Sequence, residues 1–117
     1  MNRGAQAEQL VADYLKARGM HVLFRNYHSR YGEIDLIAAD DRYLAFVEIK
    51  CRARGSLTQP LETVTRAKQL KILQTAQCFL QQYPSRLQPR FDVAAVTATG
   101  EKLSFGDVVY LENAFGL

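Results

Sequence analysis

The sequence predicts an α/β domain of the α+β kind, a mixed β-sheet with flanking helices in the order α-β-β-β-α-β-β. Three observations carry that expectation. Two segments show helical spacing of apolar residues, one near the N-terminus and one past the middle. Between them, "EIDLIAA" and "YLAFVEIKC" read as strands separated only by Asp40, Asp41 and Arg42, the layout of a hairpin. After the second helical segment, "FDVAAVTA" and "FGDVVYL" supply two further strands separated by Gly100.

Each element has its own signal. From about Ala5 to Arg18, Ala7, Leu10, Val11, Tyr14 and Leu15 recur on one helical face, and Gly19 supplies the stop. "MHVLFRNY" follows as a strand, then the polar turn "HSRYG". The hairpin comes next, and "RARGSLTQP", with Gly55 and Pro60 as breakers, reads as a loop. Thr65 is the expected N-cap of a second helix reaching about Tyr83. Its apolar stripe is Leu70, Leu73, Ala76, Leu80 and Tyr83, widened by Ile72 and Phe79. Pro84 and Pro89 bracket the connection that follows.

Composition narrows the class of protein. The 117 residues suit one domain, 1–117, and a chain of this length buries roughly two-thirds of its unfolded surface, enough for an ordinary core. At 48% hydrophobic and 23% charged residues, it has the make-up of a soluble globular protein. No apolar run approaches the ~20 residues of a membrane span, and the N-terminus lacks a signal-peptide pattern, so a cytoplasmic location is expected. Cys51 and Cys78 are the two cysteines, too few for a zinc site, and are expected as buried reduced thiols. A net charge of +3 tilts toward an anionic partner. The acids gather around Glu33–Glu48 and the C-terminal segment, and the bases between Lys50 and Lys71.

The charges inside the hairpin need explaining. Alternation puts Leu44, Phe46, Glu48, Lys50 and Arg52 on one face of their strand, and Glu33, Asp35 and Ile37 on one face of the preceding one. A hairpin loop of even length sets Asp35 nearly opposite Glu48. Like charges opposed across strands destabilise a sheet, and ionised acids in a poorly solvated place need a cation. Lys50 compensates in part, and a divalent metal would do so better. Glu8 borders the buried stripe of the first helix, where it would reach the sheet as a third ligand or position a water. Hard oxygen ligands, few and incomplete, suit Mg²⁺ or Mn²⁺. The chemistry that follows is metal-assisted phosphodiester hydrolysis, with a lysine orienting water or stabilising developing charge. The alternative is a cross-strand charge pair on a solvated face.

These residues fall in a known pattern. "GEIDLIAADDRYLAFVEIKCR" resembles the active-site hairpin of the PD-(D/E)XK nucleases, the restriction-endonuclease-like fold. With "GAQAEQLVADYLKARGMHVLFRNY", the helix bearing "V..AK...L..A...L" and "RFDVAAV", the chain from Gly4 to about Phe115 resembles the bacterial YraN family. That is a family of predicted endonucleases distantly similar to archaeal Holliday-junction resolvases. The resemblance implies Asp35 and Glu48 as metal-binding acids, Lys50 as the motif lysine, Glu8 as the helix-one acid and the carbonyl of Ile49 as a further metal ligand. In one departure, Ile34 stands where the motif has proline. The implied activity is a Mg²⁺- or Mn²⁺-dependent endonuclease acting on DNA, branched DNA above all. A homodimer would follow from symmetric cutting of two strands. A non-catalytic nucleic-acid-binding or protein-interaction module on the same scaffold is the alternative.

The residues after the motif fit a phosphate-rich partner. Arg52 and Arg54 leave the strand beside the expected site, and guanidinium groups suit phosphate. Arg66 and Lys68 open the second helix, where cations oppose the helix dipole unless a phosphate sits there. A solvated helix end is the other reading. Lys68 borders the apolar stripe and is expected to point toward the sheet. Tyr27 and Tyr31 would stack on an unpaired base or cap the sheet edge, and His28 would touch substrate or simply face solvent. Asp92 is expected to pair with an arginine.

Overall fold

Gly19 ends the first helix as its sequence requires. In the computed structural model, which describes residues 3–54, 64–98 and 103–116, helix α1 spans Arg3–Ala17. Gly19 takes the left-handed conformation (φ 86°) that frees it from a Cβ clash. Its N–H donates to Lys16 O while the Met20 N–H donates to Leu15 O, so two carbonyls of the last turn are satisfied.

The strands are β1 (His21–Ser29), β2 (Gly32–Ala39), β3 (Tyr43–Ala53), β4 (Gln88–Ala98) and β5 (Val108–Phe115). Helix α2 (Arg66–Gln82) lies between β3 and β4 in sequence. This is the expected order α-β-β-β-α-β-β, in a five-stranded sheet ordered β1-β2-β3-β4-β5. The β3–β4 pair is parallel, which requires a crossover, and α2 belongs to it. The other pairs are antiparallel. The turn between β2 and β3 is built by Asp40, whose Oδ1 accepts the N–H groups of Arg42 and Tyr43. With Asp40 N bonded to Tyr43 O, only Asp41 and Arg42 are left in the loop, an even number.

The two helices cover opposite faces of the sheet. Ala7, Val11, Ala12 and Leu15 of α1 pack on Leu36, Ala38, Ala45, Val47, Ala94 and Val96. Ile72, Ala76 and Phe79 of α2 pack on Ile34, Ile37, Leu44, Phe46 and Val93. Alternation along β3 therefore holds: Phe46 and its face look to α2, Val47 and its face to α1.

Several expectations shift. The buried stripe of α2 is Ile72, Leu73, Thr75, Ala76 and Phe79, whereas Leu70 and Tyr83 are exposed, because Phe79 rather than Leu70 centres the contact with the sheet. Thr65 is the N-cap, its hydroxyl accepting the Lys68 N–H, and Tyr83 is the C-cap. β4 starts at Gln88, so Pro89 lies inside a strand. It pairs with β3 before the β5 ladder begins at Phe91, so its missing N–H falls where only one neighbour is present. Neither cysteine is buried as expected: Cys51 is exposed because β3 runs on past the cover of the core, and Cys78, on α2 beside the buried Phe79, is half-buried. Gly55, Pro60 and Gly100 lie outside the described residues.

Candidate active site

One row across three strands departs from regular sheet geometry. The β1–β2 register places Asn26 opposite Asp35, yet Arg25↔Leu36 and Tyr27↔Ile34 pair on either side of it. The β2–β3 register places Asp35 opposite Glu48, yet the ladder ends at Leu36↔Val47. Asn26 has φ 52°, a left-handed value that asparagine tolerates. Alternation slips by one residue on both strands at this row. Phe24 and Tyr27 both pack on the α2 side, and so do Ile34 and Ile37. Glu33, Asp35 and Ile37 thus do not share one face, in contrast to the simple alternation of the sequence. Asp35 sits at the slip, between the two faces.

That position lets Asp35 meet both sides. Its Oδ2 accepts the Ile49 N–H at 2.7 Å, where β2 and β3 have parted. A strand residue directs its N–H and C=O to the same edge, so the Ile49 carbonyl also points toward β2. On the α2 side Asp35 stands close enough to the carboxyl of Glu48 to oppose its ionisation. On the α1 side it lines a cavity of about 240 Å³ together with Gly4, Glu8, Asn26, Ile49 and Cys51.

Glu48 is the electrostatic centre. It is 6% exposed, and its Oε2 makes no hydrogen bond. Lys68 Nζ lies 3.6 Å from that oxygen. Burial, followed by the hydrogen bond and charge of Asp35, pushes the Glu48 carboxyl up to about 8, against the opposing pull of Lys68 and Lys50. Near neutral pH the Glu48 carboxyl is therefore held toward its protonated form.

The structure brings Asp35, Glu48, Lys50 and Lys68 together. Glu8 approaches from the other face: its Oε2 accepts from Asn26 Nδ2 at 3.0 Å and its Oε1 lies 3.6 Å from Arg25 Nη1. Among the described residues no group of three or more His, Cys, Asp or Glu side chains is placed to hold a metal. The side-chain donor set is therefore the Asp35–Glu48 pair, with Glu8 across the cavity. Arg52 is half-buried near the end of β3, and Arg54 is exposed just after it. Arg66 is directed elsewhere, donating to Gln69 Oε1 and to the Gly116 carbonyl. Asn26 and Arg25, which hold Glu8, are not found by sequence reasoning. The signal was an asparagine inside the strand-like "LFRNY".

A second buried charge cluster stands apart from this site. Asp92 is fully buried and accepts from Arg90 Nε, the Tyr110 hydroxyl at 2.6 Å and the Asn113 N–H at 2.8 Å. The expected pairing of Asp92 with an arginine is present, and the acid's partners leave it a structural role.

Fold and site together define an α/β protein with a helix on each face of a mixed sheet that opens, between β2 and β3, around a carboxylate pair flanked by lysines. The family model described as "Uncharacterised protein family UPF0102" matches residues 7–96. The chain is 43% identical over 116 residues to a UPF0102 protein of Prosthecochloris aestuarii, covering 96% of this chain and 91% of the relative. It is 40% identical to one of Nitrosococcus oceani, over 97% of this chain and 91% of that protein. With one of Dichelobacter nodosus it shares 45% identity, over 81% and 76% of the two chains. The chain belongs to the UPF0102 family, the YraN family whose motifs its sequence carries.

Proposed function

We propose that this chain is a metal-dependent endonuclease acting on DNA, with branched or otherwise structured DNA as its substrate class. The observation that carries the reading is the buried Glu48 Oε2, which has no hydrogen-bond partner and sits beside the Asp35 carboxyl. A buried carboxylate beside a second acid is costly to ionise unless a cation compensates. Two carboxylates and the carbonyl of Ile49 fit Mg²⁺ or Mn²⁺, which keep most of their positions for water and phosphate oxygens. The bound ion would polarise the scissile phosphate and acidify a water.

The chain's own residues divide the remaining work. Asp35 and Glu48 hold the cation. Glu8, oriented by Asn26 and Arg25, borders the cavity from which water reaches Asp35. Lys50, on the face of Glu48, orients the attacking water and neutralises charge developing on the phosphate. Lys68 keeps the Glu48 carboxylate in place. Arg52 and Arg54 hold flanking phosphates. Arg66, bonded to Gln69 and to the Gly116 carbonyl just past β5, serves as a more distant contact.

A cleavage panel of labelled DNA and RNA structures with Mg²⁺ or Mn²⁺ tests the proposal. Asp35→Asn and Lys50→Ala should each lower cleavage by at least about 100-fold with the circular dichroism spectrum unchanged. Wild-type rates in both variants overturn it.

A further inference from the structure

A groove of about 800 Å³ lies between α2 and the end of β1 with its turn, apart from the carboxylate pair. Its volume falls in the range of roughly 300–1,000 Å³ typical of ligand sites. Tyr27, Arg30 and Tyr31 form one wall, and Gln74, Gln77 and Gln81 line the other. No carboxylate is among its described lining residues, and the acid closest in sequence, Glu33, sits 3.4 Å from His28 Nδ1.

The aromatic wall is tied down by contacts of its own. The Tyr27 ring packs edge-on against Phe79 and Phe24, and its hydroxyl donates to Gln82 Oε1 at 2.6 Å. The Arg30 guanidinium lies 4.9 Å from the centre of the Tyr31 ring and donates to its hydroxyl at 2.7 Å. A flat ring and a flat guanidinium, held in place and facing uncharged amides, match the chemistry of a nucleobase: a face to stack on and edges that donate and accept. A duplex hides those faces and the pairing edges and presents phosphates, for which this groove carries few cations.

The groove also continues from the proposed active site. Lys68, Lys71, Gln74, Cys78 and Gln81 follow one another by three or four residues, so they share one face of α2. Lys68 reaches Glu48 at one end of this face. Lys71 lies over the β1–β2 turn, its Cβ 3.5 Å from where a Cβ on Gly32 would stand. Gln74 and Gln81 line the groove at the other end.

We infer that this groove is a subsite for an unpaired nucleic-acid segment adjoining the duplex at the carboxylate pair. Bases would rest on Tyr31 and Arg30, their edges would meet the glutamines, and Lys71 would hold the phosphate between groove and site. This inference rests on the nucleic-acid reading above and adds the single-stranded feature of the substrate.

Binding rather than cleavage tests it. Fluorescence polarisation with Ca²⁺ in place of Mg²⁺ compares a blunt duplex, the same duplex with a short single-stranded tail, and one whose tail is abasic. The natural tail should tighten binding by about tenfold, the scale of one or two stacked bases. The abasic tail should lose most of that gain. Arg30→Ala with Tyr31→Ala, and separately Gln74→Glu with Gln77→Glu, should remove the gain and leave blunt-duplex affinity unchanged. Lys50→Ala should retain it. The two glutamines are exposed on α2, so their replacement leaves the core intact. Absence of a tail effect in the wild-type protein, equal gain from the abasic tail, or a gain that survives both double variants overturns the inference. A tail effect that behaves as expected without hydrolysis under Mg²⁺ or Mn²⁺ upholds the groove and removes the nuclease. Hydrolysis without a tail effect does the reverse.

Discussion

The Ile49 amide donates to Asp35 Oδ2 over 2.7 Å at the place where β2 and β3 cease to pair. A carboxylate side chain has taken over from a backbone carbonyl there, so β3's own main chain fixes the acid. With one oxygen held, Asp35 can offer the other to Glu48 or to a cation.

The pair makes stability fall as pH rises. The Glu48 carboxyl is raised from an ordinary 4.5 to about 8, so between those values the folded chain keeps a proton that the unfolded chain has released. Stability then declines with increasing pH across that window. Thermal melts should show Glu48→Gln with a flatter pH profile and a higher Tm than wild type near the top of the window. Mg²⁺ should raise the wild-type Tm more at the alkaline end than at the acid end, because ligands bind metal deprotonated.

Lys68 lowers the Glu48 carboxyl and so favours its ionised form. Lys68→Met should move that carboxyl further up and make Mn²⁺ compete harder with the proton. Calorimetric titration is expected to give a weaker Mn²⁺ Kd near neutral pH, with the gap to wild type closing as pH rises. A gap that is constant with pH would mean Lys68 acts otherwise than through Glu48.

Asn26 carries two separable tasks, a left-handed backbone and a hydrogen bond to Glu8. Asn26→Gly and Asn26→Ala both lose the amide, but only alanine places a Cβ at φ 52°. Urea unfolding should therefore find the alanine variant less stable than the glycine variant by about 1–2 kcal/mol.

Asp92→Asn tests the second cluster. It takes from Arg90, itself buried, its buried charge partner and leaves only the exposed Glu112 at 3.8 Å, and breaking a buried pair costs about 3–5 kcal/mol. The denaturation midpoint should drop accordingly, while cleavage per folded molecule under Mg²⁺ stays at the wild-type level.

Much of this arrangement was legible in the chain. Period-two alternation placed Glu48 and Lys50 on the face of Phe46. The even loop that sets Asp35 opposite Glu48 was only a condition there, met because the Asp40 N–H donates to the Tyr43 carbonyl and leaves Asp41 and Arg42 in the turn. Lys68, bordering the α2 stripe, does reach the sheet at Glu48. What alternation could not show is where alternation fails. The slip at Asn26 and Asp35 depends on two neighbouring strands twisting together, and a pattern read along one strand assumes an unbroken pleat. The burial of Leu70 was misread for a related reason: helical spacing defines a face, but the sheet decides which edge of it is covered. The exposure of Cys51 follows from how far β3 outruns its cover, a tertiary fact.

β3 keeps its ladder to β4 from Tyr43 to Ala53 while its other edge is released after Val47. Asp35 spans that gap: its strand is laddered to β1, while its carboxylate is held by the β3 main chain at Ile49. Past Val47 the sheet is therefore stitched by one side chain instead of a ladder, and a substitution at Asp35 removes a seam of the fold as well as an acid.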